Sequence, residues 1–249
     1  MAELRFIRTF HPVGQGAFYS EEFEIDGKET FTMVYDCGSS TISPLDKYGK
    51  LKKNSKLQKI IKSDLGTKEI DLLFLSHFDA DHVNGVELLK PKTIVIPFIN
   101  PSHKWILDFL GIILGVPKLS SLFLDPRAVF SNNPRVVQVL PAEGNSEDTL
   151  FPPNQDPINL ANSNAFPGDA KGIHKIPSGT PLTPPVGNRF WEFIPWNPYF
   201  STFFTSFETA VLACKKLDIN KLKDTANGKY IKEKLSDLKK IYDNLTPNN

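Results

Sequence analysis

A chain of 249 residues, 40% hydrophobic, 11% aromatic and 23% charged, can bury a substantial core and is unlike a disordered protein. Its formal net charge of +1 argues neither for nor against a polyanionic partner, and Cys37 and Cys214 are too few for a disulfide scaffold. The N-terminus has no apolar signal region, and residues 106–116 are too short to span a bilayer and are broken by Asp108. A cytoplasmic protein with no membrane association is therefore expected.

Residues 4–10 approximate strand alternation, and Val13-Gly14-Gln15-Gly16 turns the chain into a second strand over 17–25. That strand ends at Asp26-Gly27, a strong hairpin signal. A third strand over 31–35 stops at Asp36-Cys37-Gly38, which taken alone reads as a turn. Cys37 has no general base near it in sequence and reads as a small buried thiol. The Lys-rich stretch 39–66 holds a short helix over 55–63, with Leu57, Ile60 and Ile61 spaced to pack on a sheet.

Residues 70–75, Ile-Asp-Leu-Leu-Phe-Leu, form the nearly continuous apolar run of a buried strand. Val83, Val86 and Leu89 predict a helix over 83–90, closed by Pro91. Between the two lies Ser76-His77-Phe78-Asp79-Ala80-Asp81-His82-Val83-Asn84-Gly85. Open sheets place their sites in such loops, at the carboxyl ends of strands. In an extended loop, positions two apart point the same way. His77, Asp79 and Asp81 therefore converge, and a bend at the helix start brings His82 beside Asp81. Two imidazoles and two carboxylates suit a pair of adjacent divalent cations. The bland alternative is a polar helix entry, with Asp79 or Asp81 as an N-cap.

His77-x-Asp79-x-Asp81-His82 resembles the metal loop of the metallo-β-lactamase fold, commonly His-x-His-x-Asp-His, with Asp79 where the second histidine usually stands. With its Ser76-His77 start, the variant is similar to the metallo-β-lactamase-like domains of bacterial competence (DNA-internalisation) proteins and to the stand-alone hydrolases related to them. The resemblance implies two divalent metal ions, the first ligated by His77 and Asp79 and the second by Asp81 and His82. Zn²⁺ is the expected ion, and the harder anionic site makes Mn²⁺ its rival. By the same resemblance Asp81 is catalytic, holding and orienting the nucleophile. Asp36, in a Val-Gly-x-Gly then Asp-x-Gly context, becomes the carboxylate that orients the metal loop, although the plain turn reading stays open. The implied fold is of the α+β or α/β class, an αβ/βα sandwich of two similar halves with the metals in the cleft between the sheets.

Downstream, a strand is expected over 93–97 and a helix over 105–114, with Ser102 a better cap than His103 is a ligand. Strands follow over 122–124 and 136–140. Pro, Asn, Gly and Ser dominate residues 143–188, which are not expected to be regular over that length. A passive surface insertion and a loop capping the site compete there, the first being favoured, and His174-Lys175 reads as a solvent-exposed pair. A strand returns over 190–194, then helices over 201–217 and 229–245, the latter with Ile231, Leu235, Leu238, Ile241 and Leu245 on its apolar side. The local Lys excess near the C-terminus reads as a solvated helix face.

The chain thus divides into 1–142, the half with the metal loop; 143–189, a Pro/Asn/Gly-rich insertion; and 190–249, a strand with C-terminal helices. The bridging carboxylate and final histidine that the resemblance implies are not found after Leu140. Gly168-Asp169 lies in the Pro-rich stretch rather than after a buried strand and is not assigned. The second half is therefore expected to be incomplete, completed by a missing C-terminal segment or by a protein partner. The functional expectation is a metal-dependent hydrolase that is phosphoesterase- or nuclease-like, acting on a phosphoester and plausibly on nucleic acid. The alternative is a catalytically incomplete scaffold.

Overall fold

The computed structural model describes residues 3–142, 156–160, 172–184, 191–197, 201–224 and 228–246. Three antiparallel strands open it: β1 (Leu4–Phe10), β2 (Tyr19–Ile25) and β3 (Lys28–Tyr35). β2 and β3 join through Asp26-Gly27, both at positive φ (50° and 75°), the two-residue turn whose twist suits a hairpin. Helix α1 (Lys56–Asp64) follows, capped by the Ser55 hydroxyl, which accepts from the Gln58 N–H at 3.1 Å. After it come β4 (Ile70–Phe74), the single turn α2 (Ala80–Val83), β5 (Pro91–Pro97), α3 (Lys104–Ile113), α4 (Leu119–Leu124) and β6 (Arg135–Val139). The remaining elements are β7 (Ile158–Asn159), β8 (Ile173–Ile176), β9 (Leu182–Thr183), α5 (Ser201–Ala213), α6 (Ile219–Lys223), α7 (Gly228–Glu233) and α8 (Leu235–Leu245).

Strands β3, β4, β5, β6 and β8 run parallel, so the main sheet has the order β1-β2-β3-β4-β5-β6-β8 and its carboxyl ends share one edge. Parallel strands need cover on both faces, and the alternation of side chains supplies two cores. One face packs against the helices through Val34, Leu73, Ile94 and Val136, with Trp105, Phe109, Phe123, Phe204 and Phe207 fully enclosed. Each such side chain is worth about 1.5–3 kcal/mol in apolar burial. The opposite face carries Phe23, Phe31, Met33, Leu72, Phe74, Val95 and Val137. It is met by Leu160, Leu182 and Phe193, from the small β7–β9 sheet and the strand-like bridge beside it. The outcome is a mixed α+β fold, a central sheet flanked by helices.

Several elements differ from the sequence reading. Residues 122–124 are helical, not a strand: Leu119, Leu122 and Phe123 are buried at helical spacing, and the apolar triplet alone was too short to reveal it. The helix expected over 83–90 is α2 plus a 3₁₀ turn, Val86–Leu88. The break falls where the Gly85 N–H donates to the Cys37 carbonyl at 2.9 Å. Asn100, not Ser102, caps the turn ahead of α3, its side chain accepting from the Ser102 N–H at 3.0 Å. The Pro-rich stretch is not wholly irregular: its Pro-free run Ile173–Ile176 adds a parallel strand to the main sheet beside β6. Of the strand expected over 190–194, Phe193 bridges Leu182, and Phe190 lies outside the described residues, as does Gly168-Asp169. The expected 229–245 helix is interrupted at Lys234 into α7 and α8.

Candidate metal centre

The site grows from the carboxyl edge of the sheet, between β3 and β4. β4 is buried at every residue but Asp71, and the Leu75 N–H donates to the Val95 carbonyl at 2.9 Å, so the chain leaves the sheet at Ser76. Across from it β3 ends at Asp36, fully buried and held at φ 52°, a conformation uncommon outside glycine. Asp36 Oδ1 accepts from the Ser76 N–H at 2.8 Å. Oδ2 accepts from Ser76 Oγ–H at 2.6 Å and from His82 Nδ1–H at 2.8 Å. A buried carboxylate would be costly unpaired; here both oxygens are used.

These bonds fix both imidazoles. With its Nδ1 proton committed to Asp36, neutral His82 carries its lone pair on Nε2. Since the Ser76 hydroxyl proton goes to Asp36, its oxygen accepts from His77 Nδ1–H at 2.7 Å, and His77 too presents Nε2. The two rings lie 3.9 Å apart between centroids. His77 Nε2 faces Asp79 Oδ2 at 3.3 Å. That juxtaposition sets one lone pair against another, and a proton or a cation between them resolves it. The donor set, imidazole nitrogens with outward Nε2 atoms and adjacent carboxylate oxygens, fits a divalent transition metal.

Asp79 occupies the N-cap position of α2 yet makes no side-chain capping bond, so the bland helix-entry reading accounts for its place but not its partner. With a proton on His77 Nε2 in place of a cation, the hydrogen bond it donates to Asp79, opposed by desolvation, holds the Asp79 carboxyl below its usual range. Burial pulls His82 down, but the Asp36 hydrogen bond and the charges of Asp36, Asp81 and Asp79 outweigh it and set its pKa above the ordinary value. Asp81 is half-buried on α2, and its carbonyl accepts from the Ala17 N–H at 3.1 Å. Among the described residues, Asp36, His77 and His82 each offer a ligand atom within 4.8 Å of the others; of the expected carboxylate ligands, neither Asp79, which meets His77 alone, nor Asp81 is in that group. Because Asp36 is saturated by three donors, it is better placed to orient the imidazoles than to bind an ion itself.

The loop is clamped by backbone. The Cys37 N–H donates to the His82 carbonyl at 2.9 Å and the Gly38 N–H to the Ala17 carbonyl at 3.0 Å. A Cβ on Gly38 would stand 2.5 Å from the Asp81 carbonyl, and one on Gly16, at φ 138°, would stand 2.6 Å from the same group. These glycines are therefore required by close approach, as the turn residues expected from sequence.

Three supports escaped the sequence reading. Asn84 Nδ2 donates to the Ser39 carbonyl at 2.9 Å while the Ser39 N–H donates back to Asn84 Oδ1 at 3.1 Å. Phe78 turns away from its neighbours to meet Phe123 and Phe204 in the helix-side core. Ser76 links Asp36 to His77, and only its place directly before the histidine hinted at that.

Other candidates fall outside the centre. Burial and the neighbouring Asp36 charge push the Cys37 thiol far up, leaving it inert. His103 stacks on Phe204 with centroids 4.9 Å apart. His174, on β8, is three strands from β4, about 14 Å at ordinary strand spacing. His11 lies between Asp64 (2.7 Å) and Ser20 (3.0 Å) in the order of a nucleophilic triad. Ser20, however, is 1% exposed and, unlike its neighbours Tyr19 and Glu21, does not line the cavity beside His77, so no substrate reaches it.

Beside His77 opens a cavity of about 660 Å³ against the sheet face opposite the helices. The model of the metallo-beta-lactamase superfamily matches residues 24–183, which span the whole centre. No curated protein and no solved structure matches the chain.

Proposed function

Because the chain belongs to the metallo-beta-lactamase superfamily and sets two oriented imidazoles beside acidic side chains at a sheet edge, we propose that it is a metal-dependent hydrolase of phosphoesters, nuclease-like in substrate. The observation that carries the reading is the hydrogen-bond chain from Asp36 through Ser76 and His82, which leaves both Nε2 atoms turned outward. His77 and Asp79 would hold one ion and Asp81 and His82 a second, with Zn²⁺ or Mn²⁺ fitting this mixed nitrogen and oxygen set. Bound divalent ions supply Lewis acidity and bring the pKa of water near neutrality.

The chain's own residues do the rest. Asp36 keeps His82 in the Nδ1–H tautomer and orients its ring, as Ser76 does for His77. Asp79, held below its usual range, is anionic at neutral pH. Asp81, on the first turn of α2, is the group proposed to steer the attacking water. The cavity beside His77 admits the substrate. Phosphodiesterase preference follows the Asp79 variant of the loop.

The test is hydrolysis of bis(p-nitrophenyl) phosphate and of single-stranded DNA by purified protein, with metal content measured in parallel. Metal-dependent turnover that falls at least a hundredfold in His77→Ala and Asp81→Ala is expected. Bound metal with no turnover on either substrate would favour the catalytically incomplete scaffold. Turnover unaffected by both substitutions would refute the assignment.

A further inference from the structure

The cavity beside His77 has walls of opposite character. One wall is the sheet, where Arg8, Glu21 and Met33 lie side by side on β1, β2 and β3, flanked by Tyr19 and Tyr35. The other is the 191–197 segment with Trp191, Phe193 and Trp196, and the floor ends at Ser76 and His77. Tyr19 and Tyr35 stack with centroids 5.3 Å apart. A volume of about 660 Å³ is of the size that encloses a small organic ligand.

Glu21 is out of character on this apolar face. It is 1% exposed, and Arg8 binds only one of its oxygens, with Arg8 Nε–H donating to Oε1 at 2.7 Å. Oε2 is buried without a hydrogen-bond partner. An unpaired buried carboxylate oxygen is costly to maintain and marks a place for a donor from elsewhere. Arg8, its side chain 43% exposed, is the cover that can shift to admit one.

We propose that this cavity binds a nucleobase of the substrate, stacked among the aromatic side chains, with a ring N–H or amino group donating to Glu21 Oε2. The inference rests on the hydrolase reading for its placement, since the base would then sit on the His77 side of the scissile phosphoester. Bases stack on aromatic side chains irrespective of sequence, whereas a buried acceptor left unpaired discriminates strongly. The cavity would thus select a base carrying a donor at the right edge.

The experiment is isothermal titration of the full chain, stripped of metal with EDTA, against adenosine, guanosine, cytidine and uridine, with ribose 5-phosphate as the control lacking a base. At least one nucleoside should bind saturably while ribose 5-phosphate does not. Methylating the donor nitrogen of that nucleoside, or making Glu21→Gln, should weaken binding at least about tenfold. Trp191→Ala, which leaves the Arg8–Glu21 pair intact, should weaken it as well. Failure of all four nucleosides to bind, or equal binding of the methylated form, overturns the proposal, and the second result does not depend on any variant folding. Because no metal is present, the outcome is separable from hydrolysis. Turnover lost in His77→Ala with no nucleoside binding sinks this inference alone, whereas nucleoside binding without any turnover sinks only the hydrolase reading.

Discussion

Asp36 accepts three hydrogen bonds through two oxygens while wholly excluded from water, and each of the three reaches the loop that carries the imidazoles. Replacing it by Asn keeps the shape but offers an N–H₂ where two of those donors point. Asp36→Asn should therefore retain the fold and weaken Zn²⁺ or Mn²⁺ binding about 10- to 100-fold, read by competition with a chromogenic chelator. His82 gives a pH prediction. Burial lowers its pKa, but Asp36, Asp81 and Asp79 together raise it above the unfolded value of about 6.5. A raised folded pKa means stability fully present below the unfolded pKa and lost as pH rises through the folded one. In metal-free protein, the gap in Tm between wild type and His82→Gln should be widest below about pH 6.5 and shrink above the raised pKa. Metal uptake, which needs the neutral ring, should strengthen over the same rise. A gap that widens with pH would refute the assignment of the proton.

At the scale of elements, the loop is held by strand ends rather than by its own helix, since α2 is a single turn and cannot fix four side chains. The clamp is the Asp36-Cys37-Gly38 backbone lying against residues 81 and 82. An alanine Cβ at Gly38 meets backbone, not a flexible side chain. Gly38→Ala should cost about 1–3 kcal/mol, with Tm falling by roughly 2–4 °C per kcal/mol, and should impair metal binding. A variant with unchanged Tm and affinity would show that the close approach is not structural. The β4 strand, the Asp26-Gly27 hairpin and α1 were legible because burial, turn chemistry and capping are written locally. The convergence of Asp36 with the loop was legible only through resemblance, for it spans 46 residues to His82. Asn84, Ser39 and Phe78 carried no local signal at all, their roles arising where distant segments meet. The α2 break was missed for the same reason, a tertiary contact from Gly85 to Cys37, while the helical 119–124 segment was missed because its apolar run was too short to show its period.

On the scale of the whole molecule, one sheet separates two cores of different kind. The helix side is continuous and aromatic, with Phe207 stacked on Phe109 at 5.3 Å and wholly buried. Phe207→Ala should cost about 3–5 kcal/mol of stability by chemical denaturation, and a loss under about 1 kcal/mol would mean that α5 docks weakly. That change lies on the face away from the cavity, so ligand binding by folded variant should persist. Most individual strands and helices were readable from apolar runs, whereas the layered layout came only through the resemblance. The strand at 173–176 was hidden by the proline and asparagine around it. Among the described residues no helix is long and apolar enough to cross a membrane. The central claim, that His77, Asp79, Asp81 and His82 gather divalent ions, is tested most directly by X-ray absorption on chelator-stripped protein reloaded with Zn²⁺. The account predicts a first shell of imidazole nitrogen and carboxylate oxygen whose histidine signature weakens in His77→Ala. A spectrum of hydrated ion, identical in wild type and variant, would contradict it.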